Sequence, residues 1–166
     1  MGAGEALRFL HEVDLINLRR RTRVVQLAAD LLGRRTGPAG PDLSGTRIGV
    51  LGATFKPNTD DVRDAPALAV ASLLHKAGAD VHIYDPQGMD RARAVAPELT
   101  YEPGINEAVA DADLICVLTE WADFRNADPV ALGDLVAGRR VVDGRNCLDS
   151  ALWAQAGWEY RGMGRP

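Results

Sequence analysis

From Thr46 onward, short apolar runs alternate with helical stretches, and this alternation leaves few folds open to the 166-residue chain. The runs are residues 47–51, 81–84, a short one near 99–101, 113–118, 140–143 and 158–161. The first helical stretch follows Asp64, read as its N-cap, with Pro66 in the first turn and Leu68, Ala71 and Leu74 on one face. Further helical patterns cover 90–96, 105–110, 122–125, 129–137 and 150–156. A crossover helix between consecutive strands makes those strands parallel. The expected class is therefore α/β, an open doubly wound parallel sheet of about six strands. Its most apolar strand, 113–118, reads as central and covered on both faces.

Such a sheet is Rossmann-like, and one long helix is expected ahead of it. Residues 5–32 contain no Pro or Gly and repeat Leu7, Leu10, Val13, Ile16, Val24, Leu27, Ala28, Leu31 and Leu32 at helical spacing. At 1.5 Å per residue the helix would span about 40 Å, more than a small domain requires. Asn17 and the run Arg19, Arg20, Arg21 and Arg23 interrupt its apolar stripe. The run reads either as a solvated face or as a charged contact on a helix that joins domains or packs against a second copy. The expected organisation is a helix over 1–33, a linker over 34–45 rich in Gly and Pro, and a compact domain over 46–166.

Charge and composition narrow the function. The chain carries a net charge of −4, yet its first 36 residues hold seven Arg against four acids. The acidic body argues against nucleic acid as the partner of those arginines. No apolar run reaches the ~20 residues of a membrane span, and no secretory signal pattern is present, so the expected location is cytoplasmic. Cys116 and Cys147 are too few for a disulfide framework and read as small buried hydrophobes. His11, His75 and His82 read as structural, and no metal site is expected.

The stretch from Gly45 to Leu68 has the order of a nucleotide-binding βα unit: apolar strand, turn at Gly49, Gly52 and Ala53, loop, helix start. Backbone amides in such a turn face the place where phosphate oxygens sit. The spacing is Gly-x-x-Gly with a loop of about ten residues, so the dinucleotide fingerprint itself is absent. Ligands of open parallel sheets bind beyond the carboxyl ends of the strands. At those ends stand Phe55, Lys56 and Arg63, then Asp85, then Glu120 and Trp121, then Arg145. Three cations and an aromatic ring suit an anionic ligand with a planar group, Arg145 as a fork and Lys56 as a point charge. The competing reading pairs these cations with Asp60, Asp61, Asp64 and Asp143 as surface salt bridges. Asp85, before Pro86, is either a turn former or a ribose ligand.

At these residues the chain resembles the nucleotide-sugar 6-dehydrogenases, and among them the UDP-glucose 6-dehydrogenases. The motifs are Phe55-Lys56-Pro57-Asn58-Thr59-Asp60-Asp61-Val62-Arg63, Tyr84-Asp85-Pro86, Thr119-Glu120-Trp121 followed by Phe124, and Asp143-Gly144-Arg145-Asn146. The resemblance implies that 46–166 are the UDP-binding domain and that 5–32 are the later part of the family's central helix. It implies that Phe55, Lys56 and Arg145 contact the UDP-sugar, UDP-glucose or UDP, and that Arg63 reaches an NAD held mainly by another domain. It removes Asp85 from consideration as a ribose ligand.

Family members oxidise the sugar's C6 alcohol twice with NAD, through a thiohemiacetal and a thioester on a Cys within a Gly-Gly-Ser-Cys-Phe-Pro-Lys-Asp-like segment. That segment and the NAD-binding fingerprint have no counterpart among these residues, and Cys116 and Cys147 lack the required neighbours. No catalytic residue is therefore assigned, and the expectation is binding of the UDP moiety without catalysis by these residues alone. Alternatives are a UDP-N-acetyl-mannosamine or GDP-mannose dehydrogenase domain, or a non-catalytic module whose helix forms a homodimer or docks on a separately encoded catalytic subunit.

Overall fold

In the computed structural model the chain opens with α1 (Ala3–Leu31). A small antiparallel hairpin follows, β1 (Thr36–Gly37) paired with β2 (Gly40–Pro41). Then come β3 (Arg47–Leu51), α2 (Pro66–Lys76), β4 (Asp80–Tyr84), α3 (Met89–Val95), β5 (Thr100–Tyr101) and α4 (Ile105–Val109). The second half holds β6 (Leu114–Val117), α5 (Ala122–Arg125), α6 (Pro129–Gly133), β7 (Arg140–Asp143), α7 (Ser150–Gln155) and β8 (Glu159–Gly162). The structure describes residues 3–38 and 40–164, and within the first 14 residues only the side chains of His11 and Glu12. The expected stripe positions Leu7, Leu10 and Val13 lie outside the described side chains.

Six strands form one parallel sheet in the order β5-β4-β3-β6-β7-β8. The chain starts at the middle with β3, steps outward to β5, returns to the middle with β6 and steps outward again. This reversal splays the loops after β3 and β6 apart and leaves a crevice at their carboxyl ends. The doubly wound class expected from the alternation is the one observed. The segment between α1 and β3, read as a linker, carries the hairpin and plants Leu43 in the core, fully buried, with its amide on Ala77 O at 2.7 Å.

Side-chain alternation explains the two layers. Leu114 and Cys116 of β6 belong to the cluster under α1 and α2, whereas Ile115 and Val117 belong to the cluster with Phe124, Trp153 and Trp158. Both faces are apolar, which is why this strand reads as a continuous apolar run. Helix α1 buries Val24, Val25, Leu27, Ala28, Ala29 and Leu31 against the sheet and α2. The stretch before them, with Ile16, Leu18 and most of the arginine run, stays exposed. Among the described side chains, the apolar stripe is thus buried only in the last two turns.

Two glycines are fixed by close approach. A Cβ on Gly49 would come within 2.7 Å of Ala108 O, so α4 packs on β3 only because that strand position is bare. Gly52 has φ +111, and a Cβ there would meet Thr119 atoms at 2.5 to 2.7 Å. The start of α2 departs from the expectation. Asp64 lies at φ 50, outside the helix, and the N-cap is Ala65 without a side-chain cap bond. Pro66 in the first turn sets the helical φ instead.

Candidate functional site at the strand ends

The turn after β3 offers backbone amides, and a carboxylate of the chain itself takes them. Asp85, fully buried at the end of β4, accepts at Oδ2 from the amides of Ala53 (2.8 Å) and Thr54 (3.1 Å) and from Thr54 Oγ1 (2.9 Å). Trp121 Nε1 donates to the same oxygen at 3.1 Å. Asp85 Oδ1 accepts from the amides of Gln87 (3.0 Å) and Gly88 (2.8 Å). A buried carboxylate is tolerable when donors replace its hydration, and six do so here. The expectation that this turn presents its amides to a ligand phosphate is therefore corrected. Asp85 is not a ribose ligand but the anchor of the loops after β3, β4 and β6.

The loop from that anchor to α2 presents Phe55 and Lys56. Phe55 N donates to Asp61 O at 2.9 Å, closing the loop while its ring remains 52% exposed. Lys56 makes no ion pair among the described residues, whereas Arg63 does. Its Nε and Nη2 donate to Asp61 at 3.0 and 2.8 Å, and the side chain is 86% exposed. These bonds hold the Asp61 carboxyl well below the usual range and raise the Arg63 guanidinium. The salt-bridge reading thus holds for Arg63 with Asp61, and Asp60 pairs with Arg91 at 2.9 Å. Asp143 does not join such a pair.

Asp143 is fully buried and shapes the loop after β7. Its Oδ1 accepts from the Arg145 amide at 3.0 Å, and its Oδ2 accepts from the Leu148 amide at 2.8 Å and Tyr160 OH at 3.0 Å. Asn146, at φ 53, donates from Nδ2 to Met163 O at 2.9 Å. The loop so held projects Arg145 toward the end of β6. There its Nε and Nη2 meet Glu120 Oε2 and Oε1 at 2.5 and 2.9 Å. The Arg145 bonds lower the Glu120 carboxyl below its ordinary value, and Glu120 in turn raises the guanidinium.

These elements enclose an open cleft of about 1620 Å³ with Phe55, Lys56, Glu120 and Arg145 in its walls. Helix α1 supplies another part of the lining, from the exposed Ile16 to the buried Val24. It contributes Arg19, Arg20, Arg21 and Arg23, which join Lys56, Arg125 and Arg145. Seven cations face two carboxylates, Asp64 and Glu120, in a chain whose net charge is −4. The cleft concentrates positive charge that the sequence as a whole conceals. It exceeds a typical small-molecule pocket of roughly 300 to 1,000 Å³, so it accommodates an extended ligand.

The structure brings Phe55, Lys56 and Arg145 together and leaves Arg63 outside the cleft. Sequence reasoning missed the shared wall with α1, although the arginine run that breaks an apolar stripe was its visible signal. Cys147 also lines the cleft, but burial first, then the nearby Asp143 and Glu120 charges, push its thiol up to about 12. Burial does the same to Cys116. Neither supplies a thiolate nucleophile near neutral pH. His82 is a sheet residue, with Nδ1 at 2.6 Å from Glu102 and Nε2 at 3.1 Å from Asp80. No cluster of three or more His, Cys, Asp or Glu is placed to hold a metal, and no helix is long and apolar enough to cross a membrane, among the described residues.

Residues 49–150 match the model of the UDP-glucose/GDP-mannose dehydrogenase family, UDP binding domain. The chain is 43% identical over 136 residues to a UDP-glucose 6-dehydrogenase of Rhizobium meliloti, covering 81% of this chain and 31% of that protein. It is 38% identical over 159 residues to the UDP-glucose 6-dehydrogenase YwqF of Bacillus subtilis, covering 94% and 34%. Among solved structures, a UDP-glucose dehydrogenase from the archaeon Pyrobaculum islandicum superposes with a TM-score of 0.75 at 31% identity, over 93% of this chain and 32% of that one. The chain thus spans about a third of the length of the relatives it matches.

Proposed function

We propose that this chain, which belongs to the UDP-glucose/GDP-mannose dehydrogenase family and carries its UDP-binding domain, grips the diphosphate and uridine of UDP-glucose in the strand-end cleft. The observation that carries this reading is the meeting of Phe55, Lys56 and Arg145 with the α1 arginines around one cavity. Lys56 and Arg145 neutralise phosphate charge, and Phe55 supplies an exposed ring for a planar base. The sugar named for the relatives above is UDP-glucose, which favours it over UDP-N-acetyl-mannosamine and GDP-mannose.

The remaining parts of the proposal concern the whole enzyme. NAD would supply the hydride acceptor for oxidation at the sugar's C6, and Arg63, exposed beside the cleft, is the residue of this chain we assign to contact it. The chain's own residues bind and orient the nucleotide; none of them is assigned a bond-breaking role. The exposed turns of α1, with Ile16 and Leu18 uncovered, are the proposed homodimer contact. A cytoplasmic setting follows from the substrates, since nucleotide sugars and NAD are intracellular metabolites.

Calorimetric titration with UDP, UDP-glucose and GDP tests the reading. Saturable binding of UDP and UDP-glucose, weakened by Arg145→Ala and by Lys56→Ala, is the expected result. Preference for GDP, or equal affinity in the Arg145→Ala variant, would overturn it. Sedimentation of the parent chain and an Ile16→Arg/Leu18→Arg variant tests the dimer, which a monomeric parent would exclude.

A further inference from the structure

Glu120 and Arg145 leave neighbouring strands, β6 and β7, and meet inside the cleft. The contact is side-on: Arg145 Nε donates to Oε2 at 2.5 Å and Nη2 donates to Oε1 at 2.9 Å. A guanidinium carries five N–H donors, and this geometry uses two. The other edge, both protons of Nη1 and the second proton of Nη2, has no partner among the described residues. That edge is an end-on fork of the kind that spans two phosphate oxygens.

Both partners are fastened from behind. Trp121, next to Glu120, donates its indole N–H to the buried Asp85, and the Arg145 amide donates to the buried Asp143. The pair therefore holds one long side chain fixed between two anchored loops, which removes ordering cost from ligand binding.

We infer that Glu120 is a positioning residue, holding the Arg145 guanidinium side-on so that its end-on edge meets the diphosphate of the bound nucleotide. The inference rests on the uridine-diphosphate reading proposed above. The same contact could instead make Glu120 a surrogate anion that the ligand must displace. Displacement would be required only if Glu120 occupied the end-on fork, and it does not.

The two roles predict opposite signs. Removing a carboxylate from a cleft that binds an anion strengthens binding by Coulomb's law; removing a positioning group weakens it. The test is titration of UDP and of uridine into the parent chain, Glu120→Gln, Glu120→Ala, Arg145→Ala and the Glu120→Gln/Arg145→Ala double variant at neutral pH. Alongside it, the Arg145 Nε–H resonance is followed by ¹H–¹⁵N spectroscopy. Expected are a loss of UDP affinity in both Glu120 variants of roughly tenfold, the size of one charge-assisted bond, and no further loss in the double variant beyond Arg145→Ala. Uridine affinity is unchanged by Glu120→Gln, and the Nε–H resonance, protected in the parent, broadens. Tighter or unchanged UDP binding in Glu120→Gln, or additive losses in the double variant, overturns the inference and leaves the uridine-diphosphate reading standing. Absence of saturable UDP binding by the parent overturns both.

Discussion

Trp121 Nε1 reaches Asp85 Oδ2 at 3.1 Å, joining the exit of β6 to the exit of β4 across the loop that leaves β3. The bond places a buried carboxylate where a parallel nucleotide-binding sheet more often receives a phosphate. Replacing Asp85 with Ala removes the acceptor shared by six donors, of which Trp121 Nε1 keeps Thr54 Oγ1 at 3.3 Å and the exposed Gln87 can turn to water. At about 1 to 3 kcal/mol for each donor left buried and unsatisfied, the loss should exceed 3 kcal/mol. Urea unfolding should show it as a large fall in midpoint.

Gly52→Ala should destabilise the chain without touching the cleft-facing side chains. It sets a Cβ at φ +111 against the Thr119 amide nitrogen at 2.7 Å, so trimming the Thr119 side chain cannot relieve it. A loss of about 2 to 4 kcal/mol is expected, the range for strain plus overpacking. A Gly52→Ala/Thr119→Ala variant that regains parental stability in urea would refute this account.

Salt should weaken UDP binding more in the parent than in an Arg19→Ala/Arg20→Ala/Arg23→Ala variant. Those side chains are exposed in the lining of the cleft that also holds Lys56, where screening acts over roughly 10 Å at 0.1 M salt. A series of titrations at rising sodium chloride reads the slope, and identical slopes would remove the α1 wall from the site.

The Glu120 to Arg145 pair carries a pH signature. Arg145 lowers the Glu120 carboxyl in the folded chain, so the pair contributes stability above the ordinary Glu value of 4.5. That contribution disappears as pH falls through the lowered folded value. The melting-temperature difference between the parent and Glu120→Gln should therefore be present at neutral pH and vanish in strong acid. A difference that persists in acid would show that the carboxylate charge is not its source.

The two thiols should resist alkylation. Cys147 and Cys116 are both pushed up to about 12, so iodoacetamide near pH 8 should react slowly with Cys147 and with Cys116 only on unfolding. Rapid labelling of Cys147 in the folded chain would contradict its described environment.

Much of the fold was legible because β6 and β7 are apolar on both faces and α2 repeats its apolar positions at helical spacing. The roles of Asp85 and Asp143 were not, because a carboxylate at a strand end looks alike whether it faces a ligand or its own loop. Only tertiary contacts show that their oxygens are already filled. Arg63 and Arg145 likewise stand in similar acidic, loop-like sequence, but Asp61, two residues away, holds one at the surface. Glu120, in the loop after the neighbouring strand, holds the other in the cleft. The first partner is local and the second is not, so the first alone could be anticipated from spacing.

The residues that fasten these loops are not the residues that face the cleft. Asp85, Thr54, Trp121 and Asp143 are buried beneath it, whereas Phe55 and Lys56 hang from the fastened backbone with their side chains outward. Display and foldability are thereby uncoupled: changes of ring, charge or length at positions 55 and 56 alter what the cleft presents while the buried anchors, and with them the thermal stability, stay where they were.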